Sequence, residues 1–386
     1  MARLRPAAAA LLGWATDAAL PLWGTAGFDS EHGRFEERLT LRACRLPDVP
    51  IRLVSQARQI YAYALAAKRG WYPDAAALVE QAYSSMVREY RGRDDRGGWV
   101  FSIRRDGAVA DRRRDLYAHA FVLLSIASYI QATGKRQALA LADETLAFID
   151  QHLGAQGGGF LEGLPQSDGL RRQNPHMHLF EALLALGECS QDGRYLARAG
   201  DLFGLFASHF FRPDPGTLGE YFTADLEPAQ GVAGDIVEPG HHYEWIWLLR
   251  RFEQLSGRSV QPYVDSLYGF ADRHGFDSAG MIVDELLVDG SHHVPSRRIW
   301  PITEAIKANV VEARLGRHQS EQKAAALAGL LRERFLSCET AGGWLDKLDK
   351  DGATIGEFMP ASTLYHLVCA IDELSRFANG SSAPFD

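Results

Sequence analysis

Apolar residues recur every three to four positions in about twelve stretches of the chain, near 6–19, 52–69, 74–91, 115–132, 136–153, 174–189, 192–209, 240–256, 260–274, 299–315, 319–336 and 361–378. That period keeps one face of a helix on a core, so the pattern predicts about twelve amphipathic helices. The boundaries carry matching chemistry. Asp74 and Asp115 stand where an N-cap is needed, Pro175 and Pro301 suit a first turn, and Gly134, Gly257 and Gly316 follow C-termini. Between helix pairs lie Gly-rich, strand-like stretches at 97–107, 157–163, 216–225, 275–290 and 342–352, which read as short hairpins or long loops. The unit of helix, turn, helix and hairpin therefore repeats, closing after six rounds.

Every second helix carries an unusual polar or aromatic residue near its start: Arg58, Tyr117, His178, His241, Glu304 and His366, separated by 59, 61, 63, 63 and 62 residues. Taken singly, each is an ordinary member of an amphipathic helix. The common spacing instead places one chemically capable side chain per repeat at an equivalent height. If these helices form an inner ring, six helical hairpins make an all-α funnel whose polar mouth suits a small polar ligand.

Three stretches concentrate the chemistry. In Glu238-Pro-Gly-His-His-Tyr-Glu-Trp, His241 and Glu244 share a helix face, so the carboxylate is expected to orient the imidazole. The helix N-terminus disfavours a cation there, so His241 is expected to be neutral near pH 7. In Asn174-Pro-His-Met-His-Leu-Phe-Glu, Asn174, His178 and Glu181 recur at helical spacing, whereas His176 and His178, two residues apart, point in different directions and make a poor metal pair. Met359-Pro-Ala-Ser-Thr-Leu-Tyr-His starts the last helix and sets His366 deep enough to reach a funnel floor. Trp300 and Glu304, in Arg298-Ile-Trp-Pro-Ile-Thr-Glu, add a stacking surface and a hydroxyl acceptor. His292-His293 lies in a Gly- and Asp-rich loop and reads as rim.

Composition narrows the function. The net charge of −8 over 386 residues comes without a basic face, which argues against nucleic acid. The four cysteines form no Cys-x-x-Cys pair and point to a reducing, cytoplasmic setting. Two early arginines and the apolar run 7–14 imitate a secretory leader, but Asp17 and the pattern through Leu22 read better as a first helix, and no later run is expected to span a bilayer. No phosphate loop, dinucleotide fingerprint, serine-hydrolase elbow or zinc-protease pattern occurs. The repeat accounts for residues 1–378 as a single domain, with 379–386 as a flexible tail.

At these residues the chain resembles the N-acylglucosamine 2-epimerase superfamily, which includes mannose isomerases, sulfoquinovose isomerase and cellobiose 2-epimerase. The resemblance runs over essentially the whole chain, through Ala57-Arg58, Asp115-Leu-Tyr, Asn174 to Glu181, Pro239-Gly-His-x-x-Glu-Trp, Arg298-Ile-Trp-Pro and Tyr365-His366. It implies an (α/α)6 barrel in which His241 and His366 are the acid–base pair and Glu244 supports His241. Arg58, Tyr117, Asn174, His178, Trp300 and Glu304 would bind the sugar. It implies a monosaccharide as the partner, no metal and no cofactor, and neither nucleic acid nor membrane; the chain would act as a monomer or homodimer. Leu367-Val-Cys after the last histidine is similar to the mannose isomerase branch, so interconversion of D-mannose and D-fructose is the leading expectation. Its alternatives are a 2-epimerase, a mannose-6-phosphate isomerase using the arginine runs at 112–114, 171–172 and 297–298, a glycoside hydrolase on the same toroid, and a sugar-binding scaffold without catalysis.

Overall fold

Each expected amphipathic stretch is a helix in the computed structural model, which describes residues 4–166 and 168–381; the terminal positions 1–3 and 382–386, the latter part of the expected tail, lie outside the described residues. In chain order the main helices are α1 (Leu4–Trp14), α2 (Leu53–Arg69), α3 (Ala75–Tyr90), α4 (Leu116–Thr133), α5 (Leu139–Phe148), α6 (Gln173–Ser190), α7 (Gly193–Leu205), α8 (Pro239–Ser256), α9 (Gln261–His274), α10 (Ile299–Arg314), α11 (Ser320–Leu330) and α12 (Thr363–Ala378). α1 runs on through Ala15–Ala19 into Leu20–Thr25, and a single turn at Val232–Asp235 has no counterpart in the periodicity. Asp115 caps α4 by accepting from the Ala118 amide, whereas Asp74 makes no side-chain cap on α3.

The even-numbered helices form an inner ring and the odd-numbered ones an outer ring, an (α/α)6 barrel. Packing of α12 against both α2 and α1 closes the ring. Sequence decides the layer. α4 is apolar nearly all round and is buried from Leu116 to Ile130 with only Tyr117 partly open, whereas α7 buries only Tyr195, Ala199, Leu202 and Phe203, one stripe at helical spacing. α4 also reaches the length and apolarity of a membrane span, at a mean hydropathy of 1.3, against the expectation that no run would. Its apolar surface is spent on α2 and α6. Four outer helices, α1, α5, α7 and α11, end in five-residue π-turns at Ala15–Ala19, Ile149–Leu153, Phe206–Phe210 and Leu331–Phe335, and in each the first and fifth residues are buried.

The strand-like stretches pair mainly between units. A short strand just before an inner helix lies antiparallel to the strand that follows the next outer helix: Ile51–Arg52 with Ser102–Ile103, Arg114–Asp115 with Gly163–Leu164, Arg171–Arg172 with Tyr221–Phe222, Ile236–Val237 with Glu285–Leu287, and Arg297–Arg298 with Lys347–Leu348. The sixth pair, Phe358–Pro360 with Arg38–Thr40, joins the two ends of the chain. Six small sheets thus surround the N-terminal ends of the inner helices.

Buried histidines tie these sheets to the helices. His119, His176 and His242 each donate from Nδ1 to a carbonyl four residues earlier, those of Asp115, Arg172 and Glu238. Each accepts at Nε2 from a backbone amide of the neighbouring strand region, those of Trp99, Phe160 and Leu218. His176 is therefore a structural staple, which removes the metal reading of the 176/178 pair.

Candidate active site

The mouth framed by the six sheets opens into a cavity of about 290 Å³, room for a single sugar ring. Arg58, Tyr117, Asn174, His178, His241, Glu244, Trp300 and His366 all line it, together with Arg52, Glu238, Arg298, Asp346, Ser362 and Thr363. The ring brings together eight of the nine residues singled out from sequence. The ninth, Glu304, is fully buried behind His366, where it cannot meet a ligand in the cavity. Its Oε1 accepts from His366 Nδ1 at 2.8 Å, so it backs an imidazole instead of binding sugar.

The two histidines are held in opposite protonation states. His241 Nδ1 donates to Glu220 Oε2 at 2.9 Å, with Glu238 Oε2 at 3.9 Å. Burial alone would lower its pKa, but the Glu220 and Glu238 carboxylates outweigh that and push it up to about 9. The expected neutrality of His241 is thus overturned: a helix terminus contributes ~0.3–1 kcal/mol, less than a carboxylate in contact inside a low-dielectric wall. His366 is pushed down to about 3 by burial, against the pull of Glu304 and with the Arg58 charge adding to the fall. Burial would raise Glu304, yet Lys307 and His366 hold it at about 2. Lys307 Nζ donates to Glu304 Oε2 at 2.6 Å. With both Nδ1 atoms donating to carboxylates, Nε2 of each ring is left for the cavity: a proton donor on His241, a lone pair on His366.

The expected support of His241 by Glu244 is replaced by Glu220. Glu244 faces His178, with Oε1 3.9 Å from Nε2, and that buried oxygen has no hydrogen-bond partner among the described residues. Burial, with the nearby Glu304 charge, raises the Glu244 carboxyl well above its usual range, which favours its protonated form. His178, lowered to about 4 by burial, donates from Nδ1 to Glu181, which also accepts from Tyr365 Oη. Asn174 Oδ1 and Arg58 Nε are likewise buried without partners. The Arg58 guanidinium lies 4.2 Å over the Phe121 ring and donates to Tyr117 Oη and the Ser362 carbonyl; among the described residues it forms no ion pair. Trp300 packs against both imidazole rings, with centroids 4.9 Å from His241 and 5.8 Å from His366. Gly240 permits this approach, because a Cβ there would stand 2.5 Å from the indole.

Sequence reasoning missed Glu220, which comes from the strand region after α7. Its place is fixed by Gln173, whose Nε2 donates to Glu220 Oε2 and whose Oε1 accepts from Trp245 Nε1. The signal available was a lone carboxylate in the otherwise uncharged run Leu218-Gly-Glu-Tyr-Phe. Three buried groups bring metal-ligand atom types within 4.8 Å of one another: His178, Glu181 and Glu244; Glu220, Glu238 and His241; and Glu244, Glu304 and His366. A cation in the last two would have to displace the Nδ1 protons or Lys307. The arrangement is chemically that of an imidazolium and a neutral imidazole facing one polar cavity, with a guanidinium and the raised Glu244 carboxyl beside them.

The family model for N-acylglucosamine 2-epimerase matches residues 33–370. The mannose-6-phosphate isomerase of Rhizobium meliloti (strain 1021) is 35% identical over 94% of this chain and 95% of its own, and the D-mannose isomerase of Thermobifida fusca 28% identical over 72% of each. The structure of cellobiose 2-epimerase from Spirochaeta thermophila superposes with a TM-score of 0.83, at 24% identity and 97% coverage of both chains. The barrel, its histidine-bearing mouth and these matches together make the chain a member of the N-acylglucosamine 2-epimerase family, a sugar isomerase or epimerase.

Proposed function

We propose that the protein interconverts an unphosphorylated aldose and its ketose, D-mannose and D-fructose or close relatives, by proton transfer between His241, His366 and the open-chain sugar. The observation that carries this reading is the opposite protonation of the two histidines across one cavity. A proton α to an aldehyde leaves only when a base is aimed at it and donors meet the oxygen that gains charge. His366 Nε2 takes the proton from C2, and the C–H electron pair forms the C1–C2 double bond while His241 Nε2–H protonates O1. His366, now an imidazolium against Glu304, returns its proton to C1. His241 takes the proton from O2, leaving the ketose and the starting charge states. Arg58 and the Glu244 carboxyl stabilise the enediolate oxygens, Asn174 and His178 fix hydroxyls, and Trp300 covers a sugar face. Return of the proton to the opposite face of C2 would give the epimer, the runner-up outcome.

The arginine runs favour a free sugar. Arg112 and Arg114 go to Asp94, Arg113 to Asp111, Arg171 to the carbonyls of Gly158 and Ala224, Arg172 to Asp168, Arg297 to Asp277, and Arg298 to Glu238 and Asp284. Four free cysteines accord with a cytoplasmic setting, and the ring through Ala378 acts as one catalytic unit. The test is a panel of free and phosphorylated aldoses in D2O with product analysis by NMR, using wild type, His241→Ala and His366→Ala, with and without a chelator. Mannose should give fructose first, with deuterium at C1. Each histidine variant should lose at least ~100-fold in kcat while a melting curve shows that it still folds. Retained turnover in His366→Ala, or inactivation by the chelator, would sink the mechanism.

A further inference from the structure

The wall of the cavity nearest its mouth carries a carboxylate that the proton chemistry does not use. Asp346 precedes the strand Lys347–Leu348, and its carbonyl accepts from the Ile299 amide, so its backbone is anchored where α10 begins. Its Oδ1 accepts from Thr363 Oγ1 at 2.7 Å. Thr363 opens α12, three residues before His366 on the same helix, so the carboxylate stands about one helical turn, ~5 Å, nearer the mouth than the reacting imidazole. Asp346 lines the cavity, yet forms no ion pair among the described residues. The cations beside it are committed elsewhere: Arg298 to Glu238 and Asp284, and Lys347 nearest Asp284 at 3.9 Å. On this side of the mouth Glu238 and Asp284 take up these cations, with His241 also beside Glu238, and Asp346 is left as the carboxylate without an ion pair among the described residues.

We infer that Asp346 selects an unphosphorylated sugar, accepting a hydrogen bond from a hydroxyl at the end of the hexose remote from the carbonyl and repelling a phosphate ester at that end. This rests on the aldose–ketose reading above, which puts the carbonyl end between His241 and His366. A sugar hydroxyl is a neutral donor, and a carboxylate oxygen without a competing cation is the acceptor that gives it the stronger, charge-assisted bond. A phosphate dianion has no proton to offer at neutral pH and meets like charge in a partly desolvated wall. The Arg58 guanidinium, which forms no ion pair among the described residues, belongs to the reacting end beside Tyr117 and does not relieve that repulsion.

The test compares wild type and Asp346→Asn with D-mannose as substrate and D-mannose 6-phosphate as both substrate and competitive inhibitor. The amide keeps an oxygen for Thr363, and a melting curve confirms the fold. Wild type should turn over mannose at least ~100-fold more efficiently than its phosphate. Asp346→Asn should raise KM for mannose ~10-fold with kcat within ~2-fold, the mark of lost binding that is uniform along the reaction, and should tighten inhibition by mannose 6-phosphate ~10-fold. An unchanged ratio in the variant, or a wild type that prefers the phosphate, overturns the role of Asp346 while leaving the histidine chemistry standing. A wild type that isomerises neither sugar overturns the underlying reading instead.

Discussion

His241 shows how far one neighbour can move a side chain. At the start of α8 its cationic form is opposed by the helix dipole and by burial, and Glu220 at 2.9 Å reverses both. The expected consequence is a kcat/KM that is level across neutral pH and falls above about pH 9, as the imidazolium is lost. Glu220→Gln keeps the hydrogen bond and the shape but removes the charge. It should move that alkaline limb down by at least ~1 unit toward the ordinary imidazole value near 6.5. A purely structural Glu220 would lower activity at every pH and leave the limb where it was, so the pH profile separates the two. Glu244, on the same helix face as His241, was the more visible carboxylate in the sequence. The partner that matters comes from the link between two short strands, 21 residues earlier, a contact no local spacing encodes.

The helices and the small sheets form one mechanical system, in which buried histidines stitch the sheets to the inner helices. On α6, His176 turns outward to staple Phe160 and Arg172, while His178, two residues on, turns into the cavity. His176→Ala removes the side-chain partner of the Phe160 amide and of the Arg172 carbonyl, both part-buried hydrogen bonds, which costs ~1–3 kcal/mol. The melting temperature should drop by ~1–4 °C, while kcat/KM per folded molecule stays within ~3-fold. An equal loss of activity in the folded variant would show that His176 also shapes the chemistry. The same division was hidden in the sequence, where the adjacent His241 and His242 look alike, because helix direction alone does not say which side faces a strand. Helix positions were legible because their period is local. The pairing of strands between units was not, since two-residue strands carry no period to read.

Across the whole ring, burial has made histidines the groups that link stability to pH. His119, His176 and His178 sit at about 4, and His242 and His366 at about 3, against ~6.5 in an unfolded chain. Below pH ~6.5 the unfolded state binds more protons than the fold at these five sites, so their stabilisation is present above that pH and lost as pH falls toward 4 and 3. Glu162, Glu238 and Glu244, raised by burial, oppose part of that loss. His241 runs the other way: its contribution is full below ~6.5 and lost as pH rises through about 9. The urea midpoint should therefore be highest near neutrality and fall on the acid side between pH ~6.5 and 4; a midpoint that rises through that window would contradict the buried-neutral assignment. What the sequence by itself determined is the set of helices, their sixfold repeat and the residues presented at the mouth, because amphipathic period and repeat spacing are properties of the chain. Which histidine holds a proton, that Glu304 backs His366, and that Glu220 rather than Glu244 supports His241 were decided only by tertiary structure. Those states depend on burial and on charges brought within 3 Å from other repeats, and such distances exist only once the ring has closed.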